Sequence, residues 1–244
     1  MQTYIINLSD SVQRLRDISS DMRHFNMSFE RIEAVDGRGK NPKIYHQYNE
    51  KRSLSRHNKS LSGGEIACYL SHIKSLEEFI LSSHDIALIL EDDAKLQSSF
   101  GTDIDFLQTA LRNDSTWDVV NLVEPRDSWC KVFQKFGDNE LRRAYYFPML
   151  TTANLWSKKG AKAFLESRFG REIAGPIDTE LRSFCAARGR GLSVRNPLIR
   201  PTGVASDIDA IPSSTRKSGR RTLQSRLTRH LPDHICAAYH YLKG

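Results

Sequence analysis

Apolar and polar positions follow two different periods along this chain. Thr3-Tyr4-Ile5-Ile6-Asn7-Leu8 is a short, nearly unbroken apolar run and reads as a buried first strand. The period then becomes helical. Ser9 or Asp10 can cap a helix that carries Val12, Leu15, Ile18 and Met22 on one side. Phe29 to Val35 reads as a second strand, closed by an Asp36-Gly37 turn. Ser62 is an N-cap with Glu65 as its capping-box partner, and the helix behind it sets Ile66, Leu70, Ile73, Leu76 and Ile80 on one face. Ile86-Ala87-Leu88-Ile89-Leu90 has no polar interruption, as expected of a central strand covered on both faces. Trp117 to Val123 is a further strand, and β-rich runs follow at Val132-Phe133, Tyr145-Tyr146-Phe147 and Ala153 to Trp156. Lys158 to Phe169 reads as a helix with Ala161, Phe164 and Leu165 inward. Pro176 opens another helix, through Ile177, Leu181 and Phe184 to a Gly189-Arg190-Gly191 stop. Leu192 to Val194 and Leu198-Ile199 finish the pattern. Strands alternating with helices early, and antiparallel strands later, predict an α/β fold with a mixed sheet between helices.

Composition narrows the class. The 244 residues are 39% apolar and 27% charged, which suits one full α/β domain with a sizeable core, or one domain with a small appendage. The longest aliphatic run, Ile86 to Leu90, is far too short for a membrane span. Met1 to Leu8 has no basic leader or long apolar stretch, so no signal peptide is expected. Cys68, Cys130, Cys185 and Cys236 are far apart and form no C-x-x-C pair, which argues against a zinc site or a disulfide framework and fits a reducing cytoplasm.

Charge divides the chain. Lys and Arg exceed Asp and Glu by 36 to 29, a net +7. Residues 213–244 hold Arg216, Lys217, Arg220, Arg221, Arg226, Arg229 and Lys243 against Asp233 alone, so that segment carries +6 and the preceding 212 residues only +1. The expected organisation is a domain over 1–212 and a basic tail over 213–244. A nucleic-acid binder would carry its basic surface on the fold itself, and the tail has no aromatic residue before Tyr239 and Tyr241, so nucleic acid is disfavoured. Two readings of the tail stay open: a solvated segment, or attachment to an anionic membrane face. Leu223, Leu227 and Leu231 recur every four residues with Arg220, Arg226 and Arg229 around them, which suits an interfacial helix that Pro232 would end. A second basic stretch, Lys40 to Ser62, holds Lys40, Lys43, Lys51, Arg52, Arg56 and Lys59 with only Glu50 opposing before the capping position. It shows no period and reads as a loop, either solvated or facing an anionic ligand.

The chemistry concentrates where the central strand runs into Glu91-Asp92-Asp93. In open α/β sheets, ligands bind at the carboxyl ends of strands. Adjacent acids raise one another's pKa, and a divalent cation relieves that repulsion with carboxylate and phosphate oxygens as ligands. The triplet therefore reads as a holder for a metal-bound diphosphate, or else as an acidic strand end whose Asp residues cap a turn. A phosphatase of the Asp-x-Asp type would need a following Gly-Thr, which is absent, and a receiver domain is too short to account for the chain.

Four ordered blocks carry a resemblance. They are Ile5-Ile6-Asn7-Leu8 with Arg14; Phe29 to Gly37; Leu61-Ser62-Gly63-Gly64-Glu65-Ile66-Ala67-Cys68-Tyr69-Leu70-Ser71-His72; and Leu88 to Asp93. Over residues 3–200 the chain resembles glycosyltransferase family 25, the lipopolysaccharide galactosyltransferase-like group. The resemblance implies a GT-A-like mixed, mainly parallel sheet sandwiched between helices. It also implies a UDP-sugar donor, UDP-galactose by preference, and an inverting transfer helped by Mn²⁺ or Mg²⁺. By the same carry-over Asp93 is a metal ligand and Asp92 assists it. Glu91 positions the donor or the motif, and Arg14 contacts the nucleotide phosphates. Asn7 would meet the uracil or ribose, or is an ordinary strand-end Asn. His72 would bind phosphate or sugar, or is a helix histidine satisfied by a neighbour. Glu65 is a helix-start residue first and a donor contact second, and Cys68 is a core residue. Asp178, which follows Pro176 at a helix start, is the candidate general base; its alternative is a carboxylate favoured by the helix dipole. Gly160-Ala161 and Pro176-Ile177-Asp178 match the family's later blocks. Ala67 stands where the family has Gly, and Thr151 to Ser157 lacks the family's Gly-Thr and Tyr.

The absence of a leader and of an ER-retention ending points away from the collagen-modifying branch. The expected acceptor is then a bacterial lipopolysaccharide, lipooligosaccharide or other glycan, with the protein cytoplasmic and peripheral on the inner membrane. The rival expectations are a non-catalytic relative that binds nucleotide or glycan, and a membrane-surface module.

Overall fold

The computed structural model describes residues 1–125, 128–203 and 223–244, with side chains omitted for 223–230. The elements in chain order are β1 (Gln2–Asn7), α1 (Val12–His24), β2 (Glu30–Glu33), a 3-10 turn (Pro42–Ile44), α2 (Glu50–His57), α3 (Gly63–Leu81), β3 (Ile86–Glu91), β4 (Ala94–Leu96), α4 (Phe100–Leu111), β5 (Val119–Asn121), β6 (Cys130–Phe136), β7 (Asn139–Ala144), β8 (Ala153–Ser157), α5 (Lys158–Glu166), α6 (Arg168–Arg171), α7 (Ile177–Arg188), β9 (Gly191–Val194), β10 (Ile199–Pro201) and α8 (Leu223–Lys243).

Eight strands form one sheet in the order β2-β1-β3-β8-β5-β9-β7-β6. Six of them run in one direction; β8 and β7 are reversed, so the sheet is mixed and mainly parallel. Strand side chains alternate between two buried faces, as their period of two requires. Ile5, Leu88, Leu90, Val120 and Leu155 pack against Ile18 and Met22 of α1 and Phe100, Ile104, Leu107 and Leu111 of α4. Tyr4, Ile6, Ala87, Ile89 and Trp156 pack against Ile66, Tyr69 and Leu76 of α3, Phe164 of α5 and Phe184 of α7. The result is the expected sandwich of sheet between helices.

Two details shape the sheet's carboxyl edge. The turn after β2 lies further on than Asp36-Gly37: Lys40 N–H donates to the Gly37 carbonyl at 3.2 Å, with Arg38 and Gly39 at the centre, and Gly37 meets the start of α3 backbone to backbone. A Cβ on Gly37 would stand 2.1 Å from the Gly63 carbonyl oxygen, and one on Gly63 would stand 2.5 Å from that of Gly37. The small pair β4–β10, antiparallel with Ile199 opposite Leu96, grips the turn after β3, and the Thr202 N–H donates to the Asp93 carbonyl at 2.8 Å.

The structure corrects several expectations. The basic stretch 40–62 is not simply a loop, because it contains α2. Asn49 caps that helix by accepting from the Arg52 N–H at 2.9 Å, and its buried Ser53 and His57 are too polar to show an apolar period. α4 has no counterpart among the expected elements, although Phe100, Ile104, Leu107 and Leu111 have helical spacing. Helix α1 has Ser11, rather than Ser9 or Asp10, at its N-cap position, without a side-chain capping hydrogen bond, and Val12 is exposed. On α3, Tyr69 and Phe79 are more deeply buried than Leu70, Ile73 and Ile80. Tyr145 to Phe147 follow β7 instead of forming a strand.

Pro232 lies inside α8 and does not end it. Contacts beyond the proline hold the helix: Ser183 donates to Asp233 at 2.9 Å, His234 stacks on Tyr146 at 4.2 Å, and Ala237 is buried beside Tyr145 and Tyr146. Arg216, Lys217, Arg220 and Arg221, and the domain boundary drawn at residue 212, lie outside the described residues. So do the side chains of Leu223, Arg226, Leu227 and Arg229.

Candidate active site

The carboxyl ends of β1, β2 and β3 and the first turns of α3 enclose a cleft of about 710 Å³ that includes Asn7, Arg14, Gly64, His72, Glu91, Asp92 and Asp93. A second lobe, of about 760 Å³, shares Cys68, Glu91 and Asp93 with the first and adds Glu65, Thr151, Thr152 and Asp178. All eight residues singled out from the sequence therefore line one two-lobed cleft, with Glu91 and Asp93 at its waist.

Each carboxylate has a different surrounding. Glu91 ends β3, and its N–H donates to the Thr152 carbonyl at 2.9 Å. Its Oε1 lies 3.0 Å from His72 Nε2 and accepts from the Thr151 hydroxyl at 2.8 Å. Burial pushes Glu91 upward, but the His72 hydrogen bond and charge and the Thr151 hydroxyl outweigh it, so the carboxyl sits below its ordinary value. Asp92 accepts from Asn7 Nδ2 at 2.7 Å and pairs with Arg14 at 3.4 Å. Its pKa is raised by burial despite those two partners. Asn7 is itself held: it donates to the Ser11 carbonyl at 3.0 Å and accepts from Arg31 Nε at 3.0 Å. The side chain of Asn7 is thereby engaged in orienting Asp92.

Asp93 differs from both neighbours. Its Oδ1 is buried and has no hydrogen-bond partner among the described residues. Burial, then the charges of Glu91 and Asp92, push its carboxyl up to about 6. A buried carboxylate oxygen without a donor is the arrangement a hard cation relieves. The site thus fits Mn²⁺ or Mg²⁺ with Asp93 as the ligand available, whereas both Asp92 oxygens already have partners. Cys68 Sγ, a His72 ring nitrogen and a Glu91 oxygen form a second donor set, all within 4.8 Å of one another.

In the other lobe Asp178 stands in the first turn of α7, where its Oδ1 accepts from the Thr179 N–H at 2.6 Å and the Thr179 hydroxyl at 3.1 Å. Burial raises its pKa against those bonds. Glu65 completes the capping box, accepting from the Ser62 N–H at 2.8 Å, and pairs with Lys59 at 2.7 Å.

Two site features escape a reading of the sequence. Cys68 is not a plain core residue: it lines both lobes, and burial plus the charges of Glu91, Asp178, Asp93 and Glu65 push its thiol well up. Its spacing of four from His72 on a helix is the available signal. Thr151 and Thr152 reach the cleft because β8 is reversed, so the residues before this strand meet the end of β3.

A family model described as "Glycosyltransferase family 25 (LPS biosynthesis protein)" matches residues 1–178. A "Glycosyltransferase 25 family member" of Aedes aegypti is 26% identical over 184 residues, 72% of this chain and 29% of that protein. A "Probable inactive glycosyltransferase 25 family member 3" of Rattus norvegicus is 25% identical over 130 residues, 50% of this chain and 22% of that one. The chain thus spans under a third of the length of these relatives. Among solved structures, a glycosyltransferase involved in glycosylation of the PBCV-1 major capsid aligns with TM-score 0.43 and 8% identity, over 85% of this chain and 95% of that one. A Drosophila β1,4-galactosyltransferase 7 mutant, solved with manganese, UDP-Gal and xylobiose, aligns with TM-score 0.36 and 10% identity, over 93% and 79%.

Proposed function

The chain belongs to glycosyltransferase family 25, and from that premise we propose that it moves a hexosyl group, galactose from UDP-galactose, to a glycan hydroxyl with inversion at the anomeric carbon. The observation that carries the proposal is the unpartnered Asp93 Oδ1 at the waist between two lobes. A divalent ion bound there supplies positive charge against the negative charge that develops on a departing diphosphate.

The chain's own residues divide the remaining work. The first lobe takes the nucleotide, with the Arg14 guanidinium as phosphate partner and Asn7 and Arg31 holding Asp92 in place. His72 and Thr151 together fix the Oε1 of the Glu91 carboxylate. The second lobe takes the acceptor. Asp178 receives the proton of the attacking hydroxyl as the new C–O bond forms and the bond to UDP breaks. Burial makes its carboxylate a stronger base than an exposed one. The family description favours a lipopolysaccharide-type glycolipid acceptor.

Calorimetry with UDP, with and without Mn²⁺, followed by donor hydrolysis and a panel of truncated lipopolysaccharide acceptors read by mass, tests the reading. Mn²⁺-dependent UDP binding and a hexose added to an acceptor are expected. UDP binding without hydrolysis or transfer would favour the binding-only alternative that the rat relative's name raises. No UDP binding in either condition would remove both.

A further inference from the structure

We infer that α8 seats the protein on an anionic lipid surface, through a stripe that shares Leu231 with the leucine spacing and continues it past Pro232. Leu231, Ile235, Tyr239 and Leu242 are 50%, 60%, 52% and 81% exposed. At about 100° per residue, these four fall within an arc of about 80° on the helix. The opposite side is occupied: Asp233 and Ala237 are buried against α7 and the Tyr145-Tyr146 segment, and His240 lies 3.2 Å from the Ala187 carbonyl. The stripe is therefore the outward face of a helix already fixed to the domain. Lys243 lies beside it, its ammonium 4.7 Å from the centre of the Tyr239 ring.

Charge selects the occupant. In the sequence, residues 213–244 carry +6: six of the seven basic residues precede the stripe at 216–229, outside the described side chains, and Lys243 lies at its end. A second copy docked on the same stripe would bring two such segments together, whereas an anionic bilayer attracts the charge and accepts the apolar side chains. A free polyanion such as nucleic acid would match the charge and leave the four side chains in water. Among the described residues no helix is long and apolar enough to cross a membrane, so the fit is to the surface. The seat also bears on the cleft. α8 packs on α7 at Ser183 and Ala187, and the first turn of the same α7 carries Asp178 of the acceptor lobe. This inference does not depend on the transfer reaction.

The test is co-sedimentation of the full chain with vesicles of phosphatidylcholine alone or mixed with phosphatidylglycerol, and with an Ile235→Asp/Leu242→Asp double variant. Both substituted side chains are exposed, so circular dichroism and melting should match the parent. The expected result is binding to the anionic vesicles only, weakened by salt and at least about tenfold lower in the double variant. Three results overturn the inference: no binding to anionic vesicles, equal binding by the double variant, or a dimer in light scattering that the double variant dissolves.

Discussion

Asp93 and Asp178 carry the sharpest consequences at the scale of single residues. Asp93 titrates near 6 in the fold against an ordinary 3.8. A carboxyl raised in this way adds stability while protonated, fully below the unfolded value, and loses it as pH rises through about 6. Asp93→Asn cannot ionise and keeps that stability at pH 8. The variant should melt higher than the parent in metal-free buffer, by roughly 1–3 kcal/mol of stability, while its Mn²⁺-dependent UDP binding disappears. Calorimetry and thermal melts on one preparation check both halves; a lower melting point would refute the electrostatic account. Asp178→Asn should cut turnover by about 10²–10⁴ with UDP affinity almost unchanged, measured by initial rates and calorimetry. Unchanged turnover would take Asp178 out of the proton transfer. At this scale the acidic triplet is plain in the sequence, because three adjacent carboxylates closing a five-residue apolar run repel one another unless a cation or hydrogen-bond donors hold them. The difference between Asp92 and Asp93 is not: it depends on Asn7 and Arg14, both remote in sequence, reaching one of the pair and not the other.

Elements set the cleft's walls, and two of them depend on contacts that leave little room for change. Gly37 and Gly63 meet backbone to backbone, so Gly63→Ala should force apart the turn after β2 and the start of α3. A loss of about 1–3 kcal/mol in urea unfolding, with weaker UDP binding, is expected. On the far side of the second lobe, Glu180 of α7 is fully buried among His57 of α2 at 3.2 Å, Arg168 of α6 at 3.2 Å and Arg56 of α2 at 3.5 Å. Glu180→Ala removes the carboxylate that these three side chains share and should cost about 3–5 kcal/mol, read from the same unfolding curves. Elements with an apolar period, such as β3, α5 and α7, are legible in the sequence. So is α3, whose Ser62–Glu65 box forms in both directions. α2 is hidden because its inward residues are Ser53 and His57, held by hydrogen bonds and charge. The helical reach of α8 past Pro232 is hidden because a local rule for proline loses to packing made with Ser183 and Tyr146.

Across the whole molecule, both lobes are built from residues 6–201, although the chain spans under a third of the length of its curated relatives. The chain alone should therefore bind UDP in the presence of Mn²⁺; calorimetric silence would remove the nucleotide from the first lobe. The sandwich is foreseeable from alternating strand and helix periods. The strand order is not, since β8 inserts between β3 and β5 through pairings that no local pattern announces. That reversed strand has an engineering corollary. It delivers to the cleft the stretch that leads into it, Met149 to Thr152, while its own residues keep register with Leu88 and Val120 in the interior. Grafting loops of other length or composition at 149–150 would retune which sugar is accepted, with the buried layers left as an untouched chassis.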